Sequence, residues 1–571
     1  MYLKSLYPSV PSIPDQNYHH ALFSNPQQAN LPDYTLHIDG LNGRRRGRRE
    51  FDERMRYGAT VLAAPQDQGG LALDGQSGDI VGIYSTNCMD YIVLEHSLLM
   101  IATPFALISA YSTEGELLHA LRTIKPSRLF VHASLWEQAV SASSHLGISL
   151  DRLHVLEGHV EGKKNFGDML EYARRCRVPK IQARPANKDT LAYLVFSSGT
   201  SGLPKALMIS HGNLWFTSMA MVIYTQEEMK TIKMPTTPPP PMVWLAALPF
   251  HHSYGLHMFC LRGFLYPTTY VILPRWDATQ VLQVIPRYKI NMFAVVPSVL
   301  HKLVHSDALE KTDLSSITNV LCGAAYLQPQ LADKLKQYLK KTPQISEGYG
   351  LSEVTVSACL KPSPGVLGGL QPVPGSCGIL LPGMEARILR EDGSDADVDE
   401  PGEIWLRGGN VALGYYNNED ETKGTFVNGW LRTGDKVRAD ASGTLFFVER
   451  MKDTLKISGV QVSPTEIENV LLSQPDKLVT DVCVAGVPGV RSHDEKVPRA
   501  WVVLSEAGVR MGDATTVQRL DAWVKQNLSS YKWLRGGIEI VDEIPKLPTG
   551  KVLRRVLQKR HEKDARTKTK L

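Results

Sequence analysis

The sequence has little of what an exported, membrane-spanning or metal-stapled protein would need. Its first twenty residues, MYLKSLYPSVPSIPDQNYHH, carry prolines and polar groups where a signal peptide places a long apolar run. No run of about 18 apolar residues occurs, and Tyr91–Ala110, which contains Glu95, His96 and Pro104, reads as core; no membrane span is expected. The 7 cysteines are scattered, with no Cys-x-x-Cys pair and no Cys/His group at metal-ligand spacing. That argues against a disulfide framework or a zinc site and for reduced thiols in an intracellular compartment. An excess of one charge is also missing. A net +5 over 571 residues favours anionic ligands weakly and gives no basis for nucleic-acid binding. The run Arg44, Arg45, Arg46, Arg48 and Arg49 is broken by Gly47 and followed by Glu50, Asp52 and Glu53, so it reads as the solvated start of a helix.

A chain of 571 residues exceeds the size at which one core stops growing, so at least two domains are expected. Short β-rich runs alternate with helical ones: Asp79–Ser85 precedes an apolar helix pattern over Met89–Ala102, and Arg128–His132 precedes Leu135–His145. This alternation predicts an α/β fold with parallel sheets covered by helices. The run PTTPPPP at 235–241 cannot join a central strand, because proline lacks the amide donor, and is expected as an exposed connection before a strand at Val243–Leu248. Near Arg450 the pattern changes. A hairpin strand, DASGTLFFVER, gives way to a helix opened by Ser463 as N-cap, Pro464 in the first turn and Glu466 three residues on. The boundary is placed at Glu449–Lys452. It divides an N-terminal domain, 1–451, from a C-terminal one, 452–571.

The strongest local signal is VFSSGTSGLPK at Val195–Lys205. A β-run, Leu191–Phe196, leads into hydroxyls and glycines that bring backbone amides close to a polyphosphate, and a lysine supplies the compensating charge. A Walker loop would end Gly-Lys-Ser/Thr; here the end is Pro204-Lys205-Ala206, which excludes it. The order SSGTSGLPKA, followed by SHGN at Ser210–Asn213, resembles the signature of the adenylate-forming superfamily. That superfamily includes acyl-CoA synthetases, 4-coumarate–CoA ligases, luciferases and the adenylation domains of peptide synthetases. Further motifs follow in the family's order: LPFHHSYG from Leu248, LCGAAYL from Leu321, EGYGLSEVT from Glu347, GYYN from Gly414, GWLRTGD from Gly429, FVERMKDTLKISGVQVSPTEIE from Phe447 and LPTGKVLRR from Leu547.

The resemblance implies that the N-terminal domain is large and multi-subdomain and the C-terminal one small, mobile and α+β. It also implies activation of a carboxylic acid as its adenylate, with ATP, Mg²⁺ and CoA as cofactors. Ser197, Ser198, Gly199, Thr200, Ser201, Gly202 and Lys205 would hold the β- and γ-phosphates, and Ser352 the α-phosphate. Glu353 would ligate Mg²⁺. Gly348 and Tyr349 would pack on adenine, and Asp435, assisted by Arg450, would accept hydrogen bonds from the ribose hydroxyls. Lys551 would reach in from the C-terminal domain, forming a catalytic set with Glu353, Lys205 and His252. His252 would position the carboxylate or gate the acyl pocket, which Tyr254, Gly323, Ala324 and Ala325 would line.

Lys452 occupies the family's hinge position, and the face Ile457–Gln461, with Lys456, Ser458, Gly459 and Gln461, would exchange with Lys551 to receive the thiol. Two positions depart from the plant ligases: Ser458 stands for a lysine, and Arg275 for another, the latter keeping its charge. An acyl-AMP ligase serving a separate carrier protein and a catalytically inactive binder of nucleotide or acid remain as alternatives. No carrier domain is attached, and no acid stands between Leu248 and Leu273 to hold an amino group. The terminal Thr569-Lys570-Leu571 resembles a peroxisomal address with Thr in place of Ser, so cytoplasmic and peroxisomal locations are both expected candidates.

Overall fold

A computed structural model describes residues 1–24, 32–197, 204–231, 241–324, 327, 329–339, 344–451, 455–457, 460–489, 496–528, 532–547, 550 and 552–569. The fold is α/β, as the alternation predicts. Among the described residues, one sheet orders its strands 414–415, 205–210, 191–197, 105–108, 81–84, 128–131 and 153–155, with the last five parallel. A second runs 379–380, 359–360, 344–349, 319–322, 292–295, 242–246, 268–272, 35–39 and 45–47, parallel from 344–349 to 35–39. Helix Met89–Met100 belongs to the main core cluster, which draws side chains from both sheets, and all of its residues are buried. Its lack of a polar face follows from that place, since a helix covered all round has no solvent side to mark.

A third, antiparallel sheet is built on 430–439, which pairs with 402–407, 426–427 and 445–450. At its far edge Tyr2–Lys4 pairs with Glu385–Leu389, and Tyr2 Oη donates to Glu385 Oε2 at 2.5 Å across 383 residues. Beyond it, residues 455–557 close separate cores of their own. Strands 479–488 and 496–504 are antiparallel, 538–540 lies parallel to 496–504, and helix Pro464–Leu472 packs against 479–488. Ser463 caps that helix as expected, accepting the Glu466 amide at 3.4 Å.

Two local expectations are corrected. Helix Arg48–Ala63 does begin at the basic run, but Arg46 is not solvated. It lies on strand Arg45–Gly47, is 2% exposed, and donates to Asp90 Oδ1 at 2.7 Å, while Arg54 takes both oxygens of the same carboxylate at 2.9 Å. The strand expected at Val243–Leu248 runs Met242–Ala246. The proline run lies outside the described residues except for Pro241. Among the described residues no helix is long and apolar enough to cross a membrane.

Candidate functional site

Lys205 opens the strand that returns beside Leu191–Ser197, with Ser197 and Lys205 opposite one another. The phosphate loop is therefore the turn of an antiparallel hairpin, whereas a Walker loop joins a strand to a helix. Ser198, Gly199, Thr200, Ser201 and Gly202 lie outside the described residues. At the loop's near end Pro204 O accepts from His119 Nε2 at 2.8 Å, a tether from helix Glu114–Ile124 that no motif announced. Ser197 Oγ is buried and has no hydrogen-bond partner among the described residues. Lys205 is ion-paired with Glu421, and its ammonium stands 5.5 Å from the Tyr415 ring centre.

These groups line a cavity of about 870 Å³ together with Glu353 and Arg450. An orphan hydroxyl and a lysine at one wall suit a polyphosphate, because each gains an acceptor there. Glu353 sits in the turn Ser352–Val354, and its Oε1 accepts from Tyr415 Oη at 3.0 Å. One carboxylate beside a phosphate site fits Mg²⁺, which keeps several waters and takes its remaining ligands from substrate. Among the described residues no cluster of three His, Cys, Asp or Glu could act as a closed cage. The turn after Glu353 is strained: Thr355 is held at φ 64, a costly value for a β-branched residue. Asn410 braces it, accepting from Thr355 Oγ1 at 2.6 Å through its carbonyl and donating to Val354 O at 3.1 Å. Tyr415→Phe removes the hydroxyl that aims Glu353. Titrating Mg²⁺ against pyrophosphate exchange is expected to show a half-saturation point raised about tenfold, as for a lost hydrogen bond to a charged acceptor.

Asp435, which lines neither cavity itself, faces Arg450, which lines the first, across antiparallel strands. Arg450 Nε donates to Asp435 Oδ1 at 2.8 Å, and Tyr349 Oη donates to Oδ2 at 2.8 Å. Both carboxylate oxygens are thus fixed, with lone pairs left for further donors, and the Tyr349 ring is locked in orientation. Gly348 has a structural reason of its own: a Cβ there would meet Leu360 Cδ2 at 2.5 Å and Cys359 O at 2.9 Å, on the strand paired alongside.

A second cavity, of about 590 Å³, is mainly apolar, with Met221, Met242, Trp244, Met258 and Met292 in its wall. Of the residues expected at an acyl pocket, Tyr254, Gly323 and Ala324 line this cavity; Ala325 lies outside the described residues. Ala324 is held at φ 69, and Tyr254 Oη donates to Leu321 O at 3.3 Å. The two cavities share the wall formed by His252, Ala324, Gly350, Leu351 and Ser352, where Ser253 Oγ donates to Ser352 Oγ at 3.0 Å. Burial lowers the His252 pKa to about 4, so its imidazole is neutral near pH 7. His251 is driven down as well, first by burial and then by His252. Glu228 brings a carboxylate to this cavity from helix His211–Met229, which the stretch Leu248–Leu273 could not reveal. Tyr7 Oη and the Ser363 amide already occupy it, at 3.3 and 3.0 Å.

The expected thiol face is described only in part. Lys456 and Gln461 are opposite one another on the hairpin 455–457/460–462, while Ser458, Gly459, Lys452 and Lys551 lie outside the described residues. Arg275 is exposed, lines neither cavity, and acts electrostatically on Tyr111, whose ring meets His251 edge-on at 5.8 Å. Leu547, which opens the LPTGK motif, does line the larger cavity, and His301 Nε2 donates to Thr480 O at 3.0 Å.

The arrangement agrees with sequence comparisons. The sequence model for the AMP-binding enzyme family matches residues 27–416, and that for the AMP-binding enzyme C-terminal domain matches 466–551. A probable 4-coumarate–CoA ligase 3 of Dictyostelium discoideum is 30% identical over 98% of this chain and 97% of its own length. An acyl-CoA ligase of Alternaria alternata, AFT1-1, is 30% identical over 92% of this chain and 90% of its own. In fold, ATP-bound MatB from Rhodopseudomonas palustris superposes with a TM-score of 0.79 at 23% identity, covering 95% of this chain and 98% of that one. Ser197, Lys205, Ser352, Glu353 and Arg450 line the first cavity, whereas Gly348 and Tyr349, expected on the adenine, line the second. With both family models matched in order, the chain belongs to the AMP-binding enzyme family, within the adenylate-forming superfamily.

Proposed function

We propose that the chain activates an aryl or fatty acid as its acyl-adenylate, releasing pyrophosphate, and then transfers the acyl group to CoA. It is an acid–thiol ligase of the AMP-forming type. The observation that supports the finer reading is the shared wall between a cavity lined by charged groups of both signs, Lys205 and Glu353 among them, and an apolar one. An acid seated in the apolar cavity would present its carboxylate at that wall, next to the nucleotide's α-phosphate. A carboxylate oxygen attacks this phosphorus; the P–O bond to pyrophosphate breaks and its electron pair leaves with pyrophosphate. Lys205 and Ser197 would hold the β- and γ-phosphates, with Lys551 on the reacting oxygens. Mg²⁺ held at Glu353 would neutralise charge on the phosphate oxygens. In the second step the thiol sulfur attacks the acyl carbon, AMP leaves, and the thiol proton passes to solvent. Residues 452–571 would act as the moving lid, hinged at Lys452, with the 455–462 hairpin replacing Lys551 and Arg275 at the rim meeting CoA phosphates.

Incubation with ATP, Mg²⁺ and a panel of acids, with and without CoA, tests this by mass spectrometry of pyrophosphate and thioester. Acyl-CoA formed only when ATP, acid and CoA are all present is expected. Pyrophosphate exchange without any acyl-CoA would assign the acyl group to a carrier protein, and no exchange with any acid would leave an inactive binder. Lys551→Ala is expected to lose adenylation by more than about a hundredfold, as when one preorganised transition-state donor is removed, while still forming thioester from supplied acyl-adenylate. Equal loss of both steps would contradict the lid exchange.

A further inference from the structure

The apolar cavity contains one feature that neither aryl nor fatty acids require. Its helical wall, Ser253–Phe264, is apolar except for a cation: in the run LHMFCLRGFL, Arg262 is the single charged residue. Arg262 lines the cavity. Among the described residues its buried Nε and Nη2 have no hydrogen-bond partner, and Nη1 meets only the Met258 sulfur at 3.4 Å, a weak acceptor. The groups that act on it electrostatically are the neutral phenols of Tyr18, Tyr254 and Tyr270. Glu228, the one carboxylate among the described residues lining that cavity, is engaged by Tyr7 and the Ser363 amide. Burial lowers the Arg262 pKa only to about 10, so the guanidinium stays charged at neutral pH. The side chain is half-buried, and N–H groups shut away from solvent with no acceptor among the described residues are costly; a ligand in the cavity would supply an acceptor.

We infer that the acid substrate carries a second carboxylate at the end remote from the reacting one, and that Arg262 receives it. This rests on the adenylation reading and names the substrate class within it. A neutral acceptor would satisfy N–H groups but leave the charge uncompensated; a carboxylate does both, and its two oxygens match the guanidinium fork. The reach is set by the helix. Arg262 lies ten residues beyond His252, on the order of 10 Å along the wall once the side chain's backward lean is allowed for. That span separates the two carboxyls of a medium-length or aromatic dicarboxylic acid, and the methionines around it suit a body of variable shape.

Pyrophosphate exchange is measured with linear dicarboxylic acids of increasing length and terephthalic acid, each beside its matched monocarboxylic acid, on the full chain and on Arg262→Met and Arg262→Lys. At least one diacid is expected to exceed its monoacid by a hundredfold or more in kcat/KM. Arg262→Met should lose that preference through KM while keeping or improving turnover of the monoacid, and Arg262→Lys should retain part of it. Monoacids preferred by the unsubstituted chain, or a preference unmoved in Arg262→Met, would overturn the inference while leaving adenylation standing. A variant that failed to fold would lose monoacid exchange too, and the unsubstituted chain's own diacid preference then decides. Absence of exchange with every acid would remove the adenylation reading, and this inference with it.

Discussion

Asp435→Ala is expected to remove ATP use and to destabilise the chain by about 3 kcal/mol. The carboxylate is 1% exposed, and both oxygens are taken, by Arg450 and by Tyr349. Deleting it leaves a guanidinium and a phenol facing an empty site, and a buried pair broken on one side costs roughly 3–5 kcal/mol. The low end applies because the Arg450 side chain is 30% exposed and can find water. The two effects are separable. Asp435→Asn keeps the volume and one acceptor, so it should recover about half of the stability in urea unfolding while kcat/KM for ATP stays reduced by two orders of magnitude or more. Equal recovery of both would mean that Asp435 acts only as a brace for the strand pair 430–439/445–450.

Acid should unfold the protein well above the range in which carboxylates titrate. Among the described residues burial lowers eleven histidines, eight of them strongly, including His96, His211 and His252 at about 4 and His37, His251 and His257 well below their usual value. The geometry agrees at His211, whose Nδ1 accepts from the Tyr18 amide at 3.0 Å. A histidine with a lowered folded pKa makes the unfolded chain the first to bind a proton. Stability is therefore complete above pH about 6.5 and falls as pH drops from there towards about 4. Two groups act in the opposite sense: burial raises Asp52 to about 6 and lifts Glu95 well above the carboxylate range, so the folded chain keeps protons that the unfolded one releases. The balance still favours several protons bound on unfolding, each worth about 1.4 kcal/mol per pH unit. Urea midpoints at pH 7.5, 6.5 and 5.5 should fall progressively more steeply; a flat series would show that these histidines are hydrated.

Much of this was legible in the chain itself, because strand and helix periods are local. Met89–Met100 and Trp136–His145 fall within the stretches their patterns indicated, and Ser463 caps where its spacing placed it. What escaped depended on residues far apart in the chain. The Arg46 and Asp90 partnership spans 44 positions, so a basic run looked solvated when one member of it was core. Tyr415 stands inside the GYYN motif, yet its bond to Glu353 depends on strand 414–415 pairing at the sheet edge. Glu228 reaches the apolar cavity from a helix well upstream. Arg262 was within reach of sequence reasoning, since a lone cation amid apolar residues is rarely buried unpaired.

The antiparallel sheet has a consequence for synthesis. Its edge strand, Tyr2–Lys4, is made 383 residues before Glu385, which accepts from Tyr2. At about 5–20 residues per second the wait for that strand partner is roughly 20–75 s. Chaperone capture of the waiting segment, or a bulky neighbour that prevents it from docking late, should reduce the yield of folded enzyme more than its final stability would suggest.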